Sequence, residues 1–430
     1  MKDREESAVP AGRNRCAKCG ACTAVCPVYR ATGHEIYSAR GKQHLAEVYK
    51  ERRPGPVFED IYSTCLLCGA CASVCPRKID ITGDVMAARQ GFSPFYGGHG
   101  YQKYLARKVL NHPSLLGAAR QIGRRAAALL AARLPADSGL RLRLAMFAED
   151  GDDERPAALS APSSGAEKEL AKVVYYPGCA ARYLYPEIID DIEQLLAGYG
   201  LGLHRPDGLA CCGLAMQAAG HPDEARRAAR TTIDLLSQTN GPILVSCGSC
   251  YAQLARYGEV FATDESWREK ARSVSERAVE ISRFVEELLH QSVAPDQHQP
   301  LLRVFYHDPC HLRHGHSMPI TSEPRAILRS LPQVELLELP DGPQCCGQGG
   351  LFHLGAPELS AAIRDDLARK IIELAPDVIT TTCSGCLMQL KTAMAAAGRE
   401  IPVVHLARLV RSRTGSSADG SLEQRPPFRK

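Results

Sequence analysis

From Lys172 onward, short apolar runs alternate with amphipathic stretches. Val173-Val174-Tyr175-Tyr176 and Val304-Phe305-Tyr306 are too short to be helices, and so are the runs beginning at Ile243 and Val378; all four read as buried strands. Polar segments with helical spacing lie between them, including helices that start near His221 and near Ala356. Strands alternating with helices imply βαβ units and a largely parallel sheet. The region before residue 100 shows no such alternation. Its longest patterned stretch, Ser38 to Arg53, reads as helix.

The alternation after Lys172 also repeats. Lys172-Val173-Val174-Tyr175-Tyr176-Pro177-Gly178-Cys179 aligns with Arg303-Val304-Phe305-Tyr306-His307-Asp308-Pro309-Cys310. Each copy continues with a helical stretch, a short strand and a Pro-Asp-Gly turn, at Pro206–Gly208 and Pro340–Gly342. Then come Cys211-Cys212-Gly213 and Cys345-Cys346-Gly347, a helix, and an apolar strand running into a C-x2-C pair, Ile243 to Cys250 and Val378 to Cys386. This is a duplicated α/β unit, and the register of the cysteines is its strongest sign.

Between the N-terminal region and the repeat lies Tyr101–Phe147, rich in Leu, Ala, Lys and Arg, with Asp137 its only acid. It reads as two or three basic amphipathic helices broken near Pro113 and Pro135. The acidic run Glu149 to Glu154, leading into Pro156 and Pro162-Ser163-Ser164-Gly165, reads as a linker. Residues 1–14 and the tail after about Arg411 are polar and expected to be loose. The expected division is therefore 1–100, 101–171, 172–300, 301–411 and a disordered 412–430.

Composition adds limits rather than identity. Hydrophobic content of 45% and charged content of 23% are those of an ordinary soluble globular protein of 430 residues. No apolar run approaches the roughly 18 residues of a membrane span, and the charged Met1–Glu6 start is unlike a signal peptide. The expected location is the cytoplasm, at most resting on a membrane. There a reducing environment leaves the 18 cysteines free for metals. Thiolates on metal clusters cancel the formal charge of +4, which with little aromatic interleaving makes no case for nucleic acid.

The cysteines carry the chemistry. Cys16-x2-Cys19-x2-Cys22-x3-Cys26-Pro27 and Cys65-x2-Cys68-x2-Cys71-x3-Cys75-Pro76 are two complete runs for 4Fe–4S cubanes. In such runs three closely spaced thiolates wrap one cube, and the fourth, before proline, ligates the other. The assignment is Cys16, Cys19, Cys22 and Cys75 on one cluster, and Cys65, Cys68, Cys71 and Cys26 on the second. A zinc site normally needs only one four-ligand set, so it explains the double run poorly. The 38 residues between Cys26 and Cys65 exceed the short connection of small bacterial ferredoxins. With their helical pattern they resemble the α-helical ferredoxin domain of succinate dehydrogenase iron–sulfur subunits.

The other ten cysteines fall into two matched sets: Cys179, Cys211, Cys212, Cys247 and Cys250, then Cys310, Cys345, Cys346, Cys383 and Cys386. Open parallel sheets place ligands beyond the C-terminal ends of strands, where Cys179 and Cys247 fall. Gly213 and Gly347 are expected to let the backbone approach bulky sulfide, with nearby N–H groups bonding to cluster sulfurs. A structural zinc site in one or both halves is the alternative at this point.

This pattern resembles the cysteine-rich CCG domain of heterodisulfide reductases and of iron–sulfur subunits of glycolate, lactate and anaerobic glycerol-3-phosphate dehydrogenases. Twin ferredoxin runs followed by two CCG domains resemble the glycolate oxidase iron–sulfur subunit and the heterodisulfide reductase D subunit. Besides the cysteines, the likeness rests on Cys26-Pro27-Val28-Tyr29, Ala39-Arg40-Gly41-Lys42 and Tyr306-His307-Asp308-Pro309-Cys310-His311-Leu312. It implies a non-cubane 4Fe–4S cluster on each five-cysteine set. Complete C-x2-C pairs pull toward the heterodisulfide reductase type, whereas Ala39–Lys42 pulls toward the hydroxy-acid dehydrogenase type.

Other features carry less. His307, His311, His314 and His316 surround Cys310; His307 and His311 are the candidates for protonating a thiolate or tuning a cluster, against a reading of two exposed histidines and one packing contact. Gly347-Gln348-Gly349-Gly350 reads as a cluster-enclosing loop rather than a phosphate-binding turn. The basic stretch reads as helices packed on their own protein, with contact to anionic lipid or an acidic subunit as the rival. No flavin or nicotinamide motif follows any strand. A chain with several clusters and no organic cofactor suits a wire between partners. The expectation is the electron-transfer subunit of a flavin-dependent lactate or glycolate dehydrogenase, with an FAD subunit as donor and quinone, cytochrome or another carrier as acceptor. The alternative is an enzyme whose CCG clusters reduce a disulfide.

Overall fold

The computed structural model describes residues 16–49, 55–111, 115, 121–123, 125, 171–290, 299–315 and 319–414. Within these, everything up to residue 125 is helix or loop, as the sequence pattern implies. Helices Ala21–Val25, Pro27–Thr32, Ala39–Val48, Pro56–Ser63, Ala70–Ser73, Ile81–Gln90 and Gly100–Asn111 enclose a small core of Phe58, Ile61, Tyr62, Ile79, Ile81, Val85, Phe92 and Tyr96. The helix read over Ser38–Arg53 occupies Ala39–Val48, started by the Ser38 side chain accepting from the Gly41 N–H.

After residue 170 two four-stranded parallel sheets follow, with orders β2-β1-β3-β4 and β6-β5-β7-β8. The first uses β1 (Ala171–Tyr176), β2 (Leu201–His204), β3 (Ile243–Val245) and β4 (Ala278–Glu280); the second uses β5 (Leu302–Tyr306), β6 (Val334–Leu337), β7 (Val378–Thr381) and β8 (Val403–His405). Every residue of β3, β7 and β8 is buried, as expected for strands covered on both faces. The expected helices near His221 and Ala356 are Pro222–Ser237 and Pro357–Glu373. Each opens on proline with acids in its first turn, and the first buries Ala225, Ala229, Thr232, Ile233 and Leu236 along one stripe. The runs read as strands into C-x2-C end earlier: β3 and β7 stop before the first cysteine. The second cysteine sits in the first turns of helices Gly248–Leu254 and Ser384–Ala396.

The two halves share one continuous core. Helix Ile281–Leu289, which ends the first half, packs on Ser322–Ser330 of the second, and helix Leu406–Thr414, which ends the second, packs on Glu187–Ala197 of the first. Arg283–Glu323 at 2.9 Å and Arg411–Asp191 at 3.1 Å tie the two joints in the same way. The last helix corrects the expectation of a disordered tail from residue 412. Residues 412–414 are helical, and Arg413, buried, donates to Gln299 Oε1 at 3.0 Å and Pro300 O at 2.9 Å. The N-terminus expected to be loose, the segment expected to be an acidic linker, most of the basic stretch and residues 415–430 lie outside the described residues; helix Gly100–Asn111 opens that basic stretch.

The helical N-terminal domain is wedged across both halves. On the first, Arg89 donates to Ala218 O at 2.6 Å, Tyr96 to Ala219 O at 3.2 Å, and Lys108 pairs with Glu224 at 3.1 Å. On the second, Val28 and Leu66 join Phe352 and Ile363 in a second apolar cluster.

Candidate metal centres

Both N-terminal cysteine loops bend in the same way. Lys18 (φ 56°) and Leu67 (φ 54°) sit in the left-handed region just before the second cysteine of each run, and Gly20 and Gly69 follow it there. A non-glycine residue held at positive φ costs about 1–2 kcal/mol, so the loops carry strain that suits a ligand cradle. Cys16, Cys19 and Cys22 lie together, while Cys26 approaches Cys65 and Cys71, the crossing expected of a cysteine before proline. Cys75 packs on the same apolar core as Cys16, Cys22, Cys65 and Cys71. Burial pushes the Cys71 thiol up to about 12, and the Cys68 thiol up as well. Bare thiolates are disfavoured there, and a positively charged metal core offsets that cost.

In the first α/β half, the five cysteines follow one another in side-chain contact: Cys179 with Cys211, Cys211 with Cys212, Cys212 with Cys250, and Cys250 with Cys247. Contact with Cys179 pulls the Cys211 thiol well below its ordinary value, with further help from Cys212 and the Gly213 N–H. A narrow recess of about 10 Å³, room for a single water, lies beside Cys179 and Cys211, walled by Leu110, Arg182, Tyr183 and Leu209.

The second half is arranged differently. Cys383 touches Cys386, and Cys386 Sγ lies 3.6 Å from Cys346 Sγ. His307 is buried beside them, the donor atoms of His307, Cys346 and Cys386 lying within 4.8 Å of one another. The Cys386 contact pulls the Cys346 thiol down to about 5, and His307 adds to the effect. In the aligned register of the first half, Tyr176 takes the place of His307 and donates instead to Ala210 O at 2.8 Å. Cys310 and Cys345 lie beside Cys346 and also close to Cys68 of the N-terminal domain.

All 18 cysteines are free. Two thiolates at 2.3 Å from one tetrahedral metal ion stand about 3.8 Å apart, close to the Cys346–Cys386 separation, and the all-sulfur donor sets suit soft metals. The residues fit iron–sulfur groups.

Gly213 and Gly347 also make a close approach that the sequence did not suggest. Both have strongly positive φ, 88° and 83°, and what they approach is a helix backbone. A Cβ there meets Ala225 O or Ser360 O at 2.8 Å. The expected N–H donation is present as Gly347 N–H to Cys345 Sγ, 3.4 Å. The expected enclosing loop at Gly347–Gly350 packs on the second ferredoxin loop, since a Cβ on Gly349 meets Leu66 Cδ2 at 2.5 Å.

The histidine expectation is also revised, because none of the three described is exposed. His311 Nδ1 lies 2.9 Å from Ser249 Oγ, which is 3.3 Å from Cys383 Sγ. His314, held down at about 4 by burial, abuts Gly69; His316 is outside the described residues. Sequence reasoning missed Ser249 and His405, whose Nε2 lies 2.8 Å from Ser246 O in the opposite half. Ser249 fills an x position inside the Cys247–Cys250 pair, and His405 sits in no motif. The two halves meet at their metal-ligand positions, with Cys247 Sγ 3.9 Å from Cys383 Sγ and Gly248 N–H donating to Thr382 O at 2.9 Å.

Comparison with known proteins agrees with this division. The cysteine-rich domain model matches residues 173–255 and 304–391, and the 4Fe-4S dicluster domain model matches residues 13–79. Lactate utilization protein A of Halalkalibacterium halodurans is 28% identical over 240 residues, 56% of this chain and 96% of that protein. The proteins of that name from Shouchella clausii and Geobacillus sp. are each 27% identical, over 236 and 242 residues, covering 55% and 56% of this chain and 96% and 100% of those proteins. A crystal structure of a hypothetical protein from Helicobacter pylori superposes with a TM-score of 0.45 at 9% identity, over 78% of this chain and 73% of that one. With both domain types matched where the cysteine runs stand, the chain belongs to the CCG-domain iron–sulfur proteins, a 4Fe-4S dicluster domain followed by two cysteine-rich domains.

Proposed function

We propose that this chain is the iron–sulfur electron-transfer subunit of a flavin-dependent dehydrogenase that oxidises lactate or a related 2-hydroxy acid. One observation carries the reading: the cysteine sets form a single line. Cys68 faces Cys310 and Cys345, and Cys383 touches Cys247, so the order is Cys16 run, Cys65 run, second half, first half. Two cubanes on the N-terminal runs and one cluster, non-cubane in type, on each five-cysteine set supply one-electron carriers along that line. The chain's own residues hold the sets in order and bury Cys211, Cys212, Cys247, Cys250, Cys346, Cys383 and Cys386, while Cys19 at the far end of the relay is exposed. Relatives named lactate utilization protein A support the choice of substrate class. The FAD-bearing partner would meet one end of the line, and quinone, cytochrome or another carrier the other. Among the described residues no helix is long and apolar enough to cross a membrane.

A second reading, reduction of a disulfide, is favoured by the complete five-cysteine sets, in which both C-x2-C pairs, Cys247/Cys250 and Cys383/Cys386, are intact. One experiment separates the two. The complex is purified anaerobically from its host, and visible iron–sulfur absorbance is followed on adding D-lactate, L-lactate or glycolate. Bleaching by one of them is expected. No bleaching, with dithionite-reduced clusters instead reoxidised by a thiol-derived disulfide, would replace the dehydrogenase reading with the reductase.

A further inference from the structure

The segment Ala39-Arg40-Gly41-Lys42 carries an arrangement that the relay itself does not require. Lys42 is only 3% exposed, and its ammonium donates to two carbonyls, Tyr37 O and Thr64 O, the latter at 3.3 Å. Among the described residues no carboxylate pairs with it. Arg89 is buried nearby, 6% exposed, and likewise donates only to carbonyls, those of Tyr62, Ser63, Cys65 and Ala218. Two buried cations without an anion are costly, because desolvating an ion takes several kcal/mol that carbonyl dipoles repay only in part. The groups near Lys42 that turn negative on ligating a cluster are the thiols of Cys65, Cys26 and Cys71, three of the four ligands assigned to one cluster, and Lys42 reaches the carbonyl of Thr64 next to Cys65.

Close packing holds Lys42 in place. A Cβ at Gly41 meets Glu35 O at 2.3 Å, so only glycine lets the helix lie this close to the Glu35–Tyr37 turn. Tyr62 donates to Lys42 O at 2.8 Å from the other side. The other cysteine run has a weaker counterpart. Arg40 reaches Lys18 O at 3.0 Å, but its side chain is 30% exposed and already paired with Glu35. Water and Glu35 screen that charge, whereas neither screens Lys42.

We propose that Lys42 is the charge partner of the cluster held by Cys65, Cys68, Cys71 and Cys26, and that it sets this cluster's reduction potential above that of the cluster held by Cys16, Cys19, Cys22 and Cys75. A cubane core of about +2 on four thiolates is net about −2 and becomes about −3 on taking one electron. A fixed positive charge in a poorly screened site favours the more negative state. The electron therefore rests preferentially on the cluster that adjoins the second half, so the outer cluster acts as the entry and the inner one as the holding point.

The test is an EPR-monitored titration of the full chain, purified anaerobically, with dithionite as reductant and dye mediators. Lys42→Met is expected to lower the reduced-to-oxidised ratio of one cluster about tenfold at fixed poise, equal to about 59 mV, with the other signals unmoved. Lys42→Arg, which keeps the charge, should restore most of it. A change below twofold in Lys42→Met, an equal shift in every cluster, or no rescue by Lys42→Arg would each overturn the proposal and leave Lys42 as a backbone clamp. If Lys42→Met does not assemble the cluster, the parent chain decides the matter. Cys19→Ser and Cys68→Ser tell the two cubane signals apart. The proposal stands if the signal altered by Cys68→Ser has the higher midpoint, and fails if the order is reversed.

Discussion

Gly347→Ala tests what the Cys-Cys-Gly turn is for. Two costs arise at this position. The first is the left-handed backbone, φ 83°, which an alanine Cβ disfavours by about 1–2 kcal/mol. The second is space: the new methyl meets Ser360 O at 2.8 Å and Ile363 Cβ at 3.2 Å, both on helix Pro357–Glu373, which must move outward. Overpacking of this kind costs about 1–3 kcal/mol. The sum is roughly 2–5 kcal/mol. Gly342→Ala is the control, since its φ is 74° and nothing lies within 4 Å of a Cβ there, so only the backbone cost applies. At about 2–4 °C per kcal/mol for a unit of this size, thermal unfolding followed by circular dichroism should place Gly347→Ala clearly below Gly342→Ala. Because helix Pro357–Glu373 backs the Cys345-Cys346 turn, iron and sulfide content should fall in the first variant and hold in the second. Equal melting temperatures for the two would refute the reasoning and return the glycine to an ordinary turn residue.

The remaining predictions rest on single contacts. Arg325 grips buried Asp308 through two bonds of 2.7 and 2.8 Å, so Arg325→Leu strands a carboxylate beside His307. Denaturant melts should show a loss of about 3–5 kcal/mol, and no loss would mean water replaces the arginine. Burial holds His405 down at about 4, against 6.5 when exposed. Between those values the unfolded chain binds more protons than the folded one, so stability is full above about 6.5 and declines as the pH falls toward 4. Urea melts at pH 7.5 and 5.5 should differ by about 1 kcal/mol more in the parent than in His405→Gln, and identical slopes would contradict this. Cys26→Ser should disturb the EPR signal of the cluster on the Cys65 run; disturbance of the Cys16 cluster instead would reverse the crossing.

The ferredoxin cysteines were legible because their chemistry is local: spacing of two and three residues dictates how a short loop wraps a cube. The duplication was legible for a related reason, since apolar strands, Pro-Asp-Gly turns and cysteines recur in register, and every buried strand needs its neighbours. Lys42 and Arg40 stood in a recognisable motif. Yet nothing in a run of four residues says which cation is sealed from water and which faces it. The alignment of Tyr176 with His307 was visible, but not that one side chain bonds a carbonyl while the other lies against two thiols.

What only the tertiary structure decided is the order of the centres. Sequence order places the first cysteine-rich half next to the ferredoxin domain; the domain touches both halves, but packing of Leu66 on Gly349 and of Gly69 on His314 sets the Cys65 run beside the cysteines of the second. The contact of Cys247 with Cys383, and the exchange of terminal helices that brings His405 to Ser246, join residues more than 130 positions apart. Local spacing determines which thiols can share a metal. Which metal site neighbours which is determined by burial of apolar surface between distant segments, and no local pattern encodes it.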